Sequence, residues 1–445
     1  MSTYADVGKK DYSGELTTII SESISICDLK GIDEALNILI NFEKKCRIDN
    51  DFTTLKEVCL HMIRLCREKS TWSQICSTLT LLSKRRAQHK TAISAIVKEG
   101  IEYIDSSPNE DSRKELIITL KDICSGKMYV EAEDARLHLM LAKMYEKEGD
   151  IGKACDEIQD VHVETYGSLS KKEKSEYILE QMRMNLIRQD WVRMLIQSRK
   201  MNLKILEEDE LQSTKIKYYT MMVDYYTQEK NPWEISQCYY KIYNTQETKD
   251  NEETLNDSLT SCIIFLILSK YDNHQSDMMH RLKLLKDVEK LDTFKSVLTL
   301  LTTMEIVPSP FPQQVELEIH PSLSRGPCAN EETETYFKSL IQQRILQHNL
   351  RVIAKYYKQV HTSRLCQMLS LDDFTLETEL SEMSRAADAY VKINRPEGIV
   401  SFEKPRNPEE VLSDWSSDIS KMLGLMESTS HLINREIMVH KAKKV

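Results

Sequence analysis

Glycine and proline are scarce in this chain, which contains 11 and 10 of them among its 445 residues. Both residues are costly in the interior of a helix, and alternating patterns of β-branched residues are also rare. The composition therefore predicts a mostly α-helical protein, and the length allows two or three domains.

Long apolar runs are absent as well. The longest uninterrupted one covers residues 262–268, whereas a membrane-spanning helix needs about 20 such residues. The first residues, MSTYADVGKKDYSGEL, contain no apolar segment of the kind that a secretory signal requires. We therefore expect neither membrane insertion nor secretion.

The chain has no excess of positive charge. Its formal net charge is −10, and the resulting field repels the phosphate backbone of nucleic acids. Its eleven cysteines are scattered, and none forms a CxxC pair. This pattern favours reduced, buried thiols in a protein of the cytoplasm and nucleus.

Motifs of known catalytic sites are missing. The chain contains no HExxH or His-x-His zinc motif, no GxxxxGK[ST] phosphate loop and no GxSxG nucleophile turn. His274 and His280 lie six residues apart in a polar region, where we expect them to be exposed to solvent rather than bound to a metal. We expect no catalytic residue, no metal site and no cofactor, and hence no enzyme.

A regular repeat runs through the first three hundred residues. Short polar breaks, each followed by a new amphipathic run, recur about every 40 residues. Such a period is typical of a solenoid of stacked helical hairpins, because one hairpin alone cannot bury its apolar face. The breaks lie at Gly31-Ile32, Thr71-Trp72, Asp111-Ser112, Asp150-Ile151, Asp190-Trp191, Pro232-Trp233 and Asp272-Asn273.

The clearest repeat unit covers residues 136–158. Gly149-Asp150 is expected to form the turn between two helices, and the small residues Ala142 and Ala154 to let those helices approach closely. The unit resembles a tetratricopeptide-type hairpin with a longer period. We predict a solenoid of such hairpins over residues 11–305.

Proline is concentrated in residues 306–330, which hold five of the ten prolines. Pro308, Pro310 and Pro312 prevent a helix from continuing and favour extended backbone. We predict a linker or an extended arm over this segment.

Residues 361–404 contain the most informative pattern of the chain. It predicts a short helix over 363–369, a second helix over 375–387 with Asp372 or Asp373 as its N-cap, and a tight β-hairpin. The hairpin strands are predicted at 390–393 and 399–402, with Gly398 in the strained turn between them. A helix-turn-helix followed by a hairpin is the winged-helix pattern, so we predict a winged-helix domain over 331–404.

Winged helices usually bind DNA, but the second helix of this one is acidic. With its N-terminal approach, it carries six acidic side chains and Arg385 as its single basic one. A recognition helix lies among phosphates and usually offers basic or amide side chains to base edges. We therefore expect protein partners, and not nucleic acid, at this domain.

A long helix is predicted from about residue 408 to residue 442, within a C-terminal segment over 405–445. Apolar side chains recur along it every three or four residues, close to a heptad pattern. Such a stripe either folds back on its own domain or joins a bundle with helices of other chains, and we expect the bundle. The residues predicted to face the bundle are Trp415, Ile419, Met422, Met426, Ile433 and Ile437.

A helical solenoid followed by an acidic winged helix and a long final helix resembles the PCI-domain proteins. These are scaffold subunits of the proteasome lid, the signalosome and a large translation initiation factor. The tail NRPEGIVSFEKPRNPEEVLSDWSSDISKMLGLMESTSHLI (394–433) is similar to that of a proteasome lid subunit, and residues 79–97 and 163–186 are similar to its solenoid.

The resemblance implies a non-catalytic scaffold subunit of the 26S proteasome regulatory particle lid, which supports ATP-dependent degradation of ubiquitinated proteins. A PCI scaffold subunit of a signalosome or a translation initiation factor complex is the alternative. The implied partners in this hetero-oligomer are other lid PCI subunits, the lid deubiquitinase subunit, the ATPase ring and the core particle. The implied contact residues at the wing edge are Tyr390, Val391, Ile393, Ile399, Val400 and Phe402.

Overall fold

The computed structural model describes residues 12–49, 51–69, 72–86, 88–308, 317, 320–324, 331–404 and 406–443. These residues are mostly helical, with one small β-sheet, as the composition predicts. They divide into two compact units. The first lies within Met1–Tyr225 and Lys241–Glu252, and the second within Tyr226–Tyr240 and Glu253–Val445.

The described chain before residue 303 is a succession of α-helices with short connections. In order, these are α1 (Ser13–Lys30), α2 (Ile32–Ile48), α3 (Phe52–Glu68), α4 (Trp72–Lys84), α5 (Lys90–Ile104), α6 (Glu110–Cys124), α7 (Glu131–Glu148), α8 (Ile151–Gln159), α9 (Lys171–Arg188), α10 (Trp191–Lys200), α11 (Gln212–Glu229), α12 (Pro232–Tyr243), α13 (Gln246–Lys249), α14 (Glu252–Leu268), α15 (Asn273–Lys283) and α16 (Asp292–Thr302).

The helix boundaries follow the predicted repeat. Six helices begin at or beside a predicted break, namely α2, α4, α8, α10, α12 and α15. The predicted break at Asp111-Ser112 lies one or two residues inside α6, which already begins at Glu110. Acidic side chains are favoured in the first turn of a helix, where they face the positive end of its dipole. In the sequence, the acidic first turn of α6 has the same composition as a polar connection between helices.

Ion pairs join equivalent positions of successive hairpins in the first unit. Arg64 Nε donates to Glu99 Oε1 at 2.8 Å, Arg136 Nη2 to Glu173 Oε1 at 2.6 Å, and the two partners are 35 and 37 residues apart. A separation close to one repeat is what a stacked solenoid produces, because the same helix face recurs once per hairpin. The predicted mostly helical solenoid is confirmed.

The hairpin of α7 and α8 shows how the repeat closes. Gly149 ends α7 in the left-handed conformation, with φ at +88°. Ala142 and Ala154 are fully buried, as expected for positions where two helices approach closely. The tyrosines of α11 also pack inward, with Tyr218 and Tyr219 both buried.

The winged-helix region lies in the second unit. It consists of α17 (Glu331–Tyr356), β1 (Gln359–His361), α18 (Thr362–Leu369), α19 (Asp373–Arg385), β2 (Lys392–Asn394) and β3 (Ile399–Ser401). The three strands form an antiparallel sheet in the order β1-β3-β2. Strand β1 was not predicted, because it is only three residues long and two of them are polar.

The predicted pattern of the winged helix is confirmed, with shifted boundaries. Both helices begin one or two residues earlier than predicted, and the first wing strand lies two residues later along the chain. Asp372 is the N-cap of α19, but its side chain forms no capping hydrogen bond, so the expected contribution of its carboxylate is wrong. Gly398 has a φ of +61°, as the hairpin turn requires.

Most of the predicted proline-rich linker lies outside the described residues. At its start, the backbone of Val307 is anchored to α17 by the side chain of Asn349, which accepts from Val307 N at 2.8 Å and donates to its carbonyl oxygen at 2.8 Å. The domain boundaries at residues 305, 330 and 404 stay predictions. The last helix, α20 (Pro408–Ala442), has the bounds expected from the sequence.

Candidate protein-interaction surfaces

Helix α20 is well specified by its ends. Pro408 occupies its first turn, where a missing N–H is harmless, and Glu409 and Glu410 face the positive end of the helix dipole. His440 and Lys441 lie in the last turn, at the negative end. Local sequence therefore supports 35 residues of helix without help from packing, although no side chain of the helix is buried.

The apolar stripe of α20 is exposed along its whole length. Among the six residues predicted to face a bundle, the exposed fraction ranges from 46% at Ile419 and Ile437 to 65% at Trp415. Leu425 and Met438, which the heptad pattern missed, are exposed to 68% and 72%. Within the described chain the helix does not fold back on its own domain. A stripe of this length is larger than the apolar patches that monomeric proteins usually expose.

The predicted wing residues fall into two groups. Val400 and Phe402 are buried in the core of the winged-helix region, where they pack with residues of α17, α18 and α19. That core consists of Leu350, Ile353, Val360, Leu365, Leu369, Leu376, Leu380, Met383, Val400 and Phe402. The side chains of Val400 and Phe402 are thus occupied within this chain.

The other wing residues are more accessible. Val391 and Ile393 are half-buried against the same core, and Ile399 is half-buried on the central strand β3. Tyr390 is exposed to 40% just before β2. The interface role of all six residues stays a prediction, but Tyr390 and the strand that follows it are placed where a partner could reach them.

Strand β3 has no free edge, because it lies between β1 and β2. Thr362 N donates to the carbonyl of Gly398 at 2.9 Å, and Phe402 N to the carbonyl of Lys358 at 2.9 Å. Backbone groups in an antiparallel sheet alternate between the two neighbours of a strand. The backbone groups of every second residue of β3 therefore bond to β1, and the backbone groups of the residues between them point towards β2.

The outer edge of β2 is open among the described residues. Lys392 and Asn394 lie opposite the β3 residues that face β2, so their backbone groups are directed inward. By the same alternation, the N–H and C=O of Ile393 point away from the sheet. This edge could accept another strand, and its flanking polar side chains, Lys392 and Asn394, are exposed.

The electrostatics of the winged helix disfavour nucleic acid. Arg395, in the hairpin loop, forms an ion pair with Glu377 of α19 at 3.0 Å, so a basic wing side chain is neutralised within the domain. Gln343 of α17 donates to the carboxylates of Glu379 and Glu382 at 3.0 Å. These contacts fix the acidic face of α19, which still lacks the basic and amide groups that read bases.

Further exposed aromatic residues were missed by the sequence reasoning. Phe374 in the first turn of α19 is exposed to 81%, and Tyr356 at the end of α17 to 65%. Phe374 points away from the core face of its helix, which Leu376, Leu380 and Met383 occupy. The sequence did contain a signal for this exposure, because Phe374 lies two residues before the first core residue of α19 and so on a different face of the helix.

The described residues contain no group of three or more His, Cys, Asp or Glu side chains that could hold a metal ion. His274 and His280 are exposed, as predicted. Cys366 is the least buried of the ten described cysteines, and burial together with a hydrogen bond to Asp373 raises the pKa of its thiol to about 11.

The described helices include none with the length and hydrophobicity to traverse a bilayer.

Three protein families match successive parts of the chain. Residues 34–251 match the N-terminal region shared by PSMD12 and CSN4, and residues 323–404 match the PCI domain. Residues 409–441 match the C-terminal domain of the 26S proteasome regulatory subunit RPN5, which here coincides with the exposed helix α20.

Similar proteins extend over nearly the whole chain. The 26S proteasome non-ATPase regulatory subunit 12 of Dictyostelium discoideum is 36% identical, over 92% of this chain and 90% of its own length. The 26S proteasome regulatory subunit RPN5 of Saccharomyces cerevisiae is 32% identical, over 97% of both chains. The COP9 signalosome complex subunit 4 of Caenorhabditis elegans is 23% identical, over 67% of this chain and 70% of its own. The chain therefore belongs to the PCI-domain family of 26S proteasome non-ATPase regulatory subunit 12, or RPN5.

Proposed function

We propose that the protein is a non-catalytic scaffold subunit of the proteasome regulatory particle lid, and that it supports ATP-dependent degradation of ubiquitinated proteins by holding other subunits in place. The observation that carries the proposal is α20, a helix of 35 residues without a buried side chain, in the segment that matches the RPN5 C-terminal domain. A helix with so long an apolar stripe requires a partner.

The first proposed contact is a bundle of helices from several subunits. Burying a large apolar side chain completely contributes about 1.5–3 kcal/mol. The stripe of α20 offers six such residues that are each about half exposed, so the bundle gains several kcal/mol in total before the cost of ordering the partners. That gain is absent from the isolated chain.

The second proposed contact is strand addition at β2. The outward N–H and C=O of Ile393 provide backbone hydrogen bonds to a neighbouring subunit, and Tyr390 provides apolar contact beside them. The edge sets the orientation of the neighbour, and the bundle supplies most of the free energy of association. The lid PCI subunits, the lid deubiquitinase subunit, the ATPase ring and the core particle are the proposed partners.

Deletion of residues 408–445 tests this proposal. Because no side chain of α20 is buried, the truncated chain should retain the helical circular dichroism of the remaining residues and unfold at the temperature of the full chain. It should fail to co-purify with the other proteasome subunits. A truncated chain that enters proteasomes as efficiently as the full chain would refute the role of α20.

A signalosome scaffold is the second candidate, because the chain also resembles a COP9 signalosome subunit at 23% identity. Affinity purification of the native chain followed by mass spectrometry separates the two. We expect proteasome core subunits among the recovered proteins. Recovery of signalosome or initiation factor subunits without core proteasome subunits would favour the alternative. We also propose residence in the cytoplasm and nucleus, which imaging of a tagged chain can check.

A further inference from the structure

A cavity of about 360 Å³ lies within the second unit, beside the winged helix. One face of α17 forms part of its lining, with Arg344, His348, Arg351 and Lys355 at intervals of three or four residues. Aliphatic side chains such as Ile267 and Leu301 form other parts of the wall. The cavity is thus basic along one helix, and its other walls combine apolar side chains with polar ones such as Gln275 and Thr302.

The two arginines are held differently. Arg344 is satisfied in part, because its Nε donates to the carbonyl of Leu268 at 3.0 Å and its Nη1 to Gln347 Oε1 at 2.6 Å. The guanidinium of Arg351 lies over the ring of Tyr271, 4.0 Å from the ring centroid. Its Nη1 is buried and has no hydrogen-bond partner among the described residues. A buried donor without an acceptor is uncommon and calls for a specific explanation.

The charge of the cavity is not balanced by its own lining. Asp388 is the single carboxylate among the lining residues, against Arg344, Arg351 and Lys355. Burial raises the pKa of Asp388 even though Arg351 and Arg344 oppose this effect, and within the described chain it forms no direct ion pair with either. Burial and the nearby Arg351 lower the pKa of His348, so this side chain is neutral at pH 7.

We propose that this cavity binds a single carboxylate group presented by a polypeptide of a neighbouring subunit. A guanidinium offers parallel N–H donors that match a carboxylate, and the bond is strong where water is excluded. The apolar parts of the wall suit the hydrocarbon part of an acidic residue, which inorganic anions lack. Naming the partner as a neighbouring subunit rests on the proposed function, because exposed Tyr390 lines the cavity next to the β2 edge.

The chemistry of the site can be tested on the isolated full chain. In NMR spectra of arginine Nε–H groups, butyrate in the millimolar range should shift the resonance of Arg351, which an Arg351→Lys variant assigns. Butyramide at matched ionic strength should leave that resonance in place. Absence of a butyrate shift, or a larger shift with inorganic phosphate, would overturn the recognition of a carboxylate.

The role in assembly is tested with Arg351→Met. This change removes a buried donor that lacks an acceptor, and the thioether of methionine can replace the contact of the guanidinium with Tyr271. The isolated chain should therefore unfold at an unchanged or higher temperature. Its recovery in assembled proteasomes should fall roughly tenfold, as expected for loss of one charge-assisted pair. A lower unfolding temperature would instead make Arg351 a structural residue and overturn the proposal.

The source of the carboxylate is identified by a photo-crosslinking amino acid at Lys355, on the rim of the cavity, with the same group at exposed Lys358 as the control. We expect the position-355 adduct to contain an acidic side chain or a chain terminus of another subunit. If the adduct contains an acidic side chain, a basic substitution of that residue should restore the assembly of Arg351→Glu. If it contains a chain terminus, removal of the terminal carboxylate should restore that assembly. If the chain assembles normally but neither adduct nor rescue is found, the inference fails while the proposed scaffold function stands.

Discussion

The exposed stripe of α20 predicts a sharp separation between folding and assembly. The decisive perturbation is a triple substitution at its centre: Ile419→Ala, Met422→Ala and Met426→Ala. Alanine keeps the helix intact, because it has the highest helix propensity. The matched control replaces Glu427, His431 and Arg435 by alanine, which spacing places on the opposite side of the helix. The ion pair between Glu427 and His431 is solvent-exposed and contributes little.

The expected loss of association free energy follows from the fraction of each side chain that is still exposed in the isolated chain. Ile419, Met422 and Met426 are 46%, 59% and 55% exposed, so roughly half of each residue is still available for burial. Half of the usual 1.5–3 kcal/mol per side chain gives about 2.3–4.5 kcal/mol for the three residues. That loss corresponds to an association weaker by roughly 50- to 2,000-fold. In the isolated chain the same side chains contribute almost nothing, because none of them is buried.

Two measurements on the same variants separate these effects. Thermal unfolding followed by circular dichroism should give the same midpoint for the wild type, the stripe variant and the control. Competition against the wild-type chain for incorporation into proteasomes should exclude the stripe variant and accept the control. The reasoning is refuted if the stripe variant unfolds several degrees earlier, since the stripe would then pack within its own chain. Equal incorporation of stripe and control variants would refute it as well.

Two other predictions concern stability. Gly149→Ala should lower the free energy of unfolding by about 1–2 kcal/mol, because the backbone of Gly149 is left-handed. Gly152→Ala, in the first turn of α8 with open space around it, should raise the free energy of unfolding by up to about 1 kcal/mol, because alanine restricts the unfolded chain more than glycine does. Urea unfolding of both variants checks this, and equal effects would contradict it. Burial raises the pKa of Asp224 to about 6, so the folded state keeps a proton that the unfolded state has released, and stability is lost as the pH rises from about 4 to 6. Asp224→Asn should therefore be more stable than the wild type at pH 7.5, by up to about 3 kcal/mol, and nearly equal to it at pH 3.5 if both remain folded; a difference that does not vary with pH would contradict the assignment.

Sequence periodicity predicted those parts of the fold that depend on local order. The turn at Gly149 and the helix starts at Trp191 and Pro232 were predictable, because each combines a local backbone signal with a change in apolar phase. The misplaced break at Asp111 shows the limit of this approach. A polar first turn and a polar connection have the same composition, and only the hydrogen bonds of the backbone distinguish them.

The wing shows a second limit, which is topological. The sequence predicted a two-stranded hairpin, in which both strands have a free edge. Pairing of β1 with β3 makes Ile399–Ser401 the central strand and leaves the edge at Ile393 open. Because the residues of β1 are 38 or more positions before their partners in β3, no local pattern could reveal this pairing. It also explains why Val400 and Phe402 belong to the core although they lie in a hairpin.

The same contrast separates the two kinds of proposed contact. The stripe of α20 is a linear pattern, so its residues could be chosen from the sequence, and the structure adds that the chain itself does not cover them. The cavity at Arg351 brings together α17, the end of α14 and the segment after α19, and periodicity would have placed Arg351 simply on a polar helix face. Only the position of Tyr271 over its guanidinium, and the lack of an acceptor for Nη1, distinguish it from an ordinary surface arginine. Under the proposed scaffold role, an unsatisfied buried donor and an exposed apolar stripe suit the same purpose, because both acquire their missing partners on assembly.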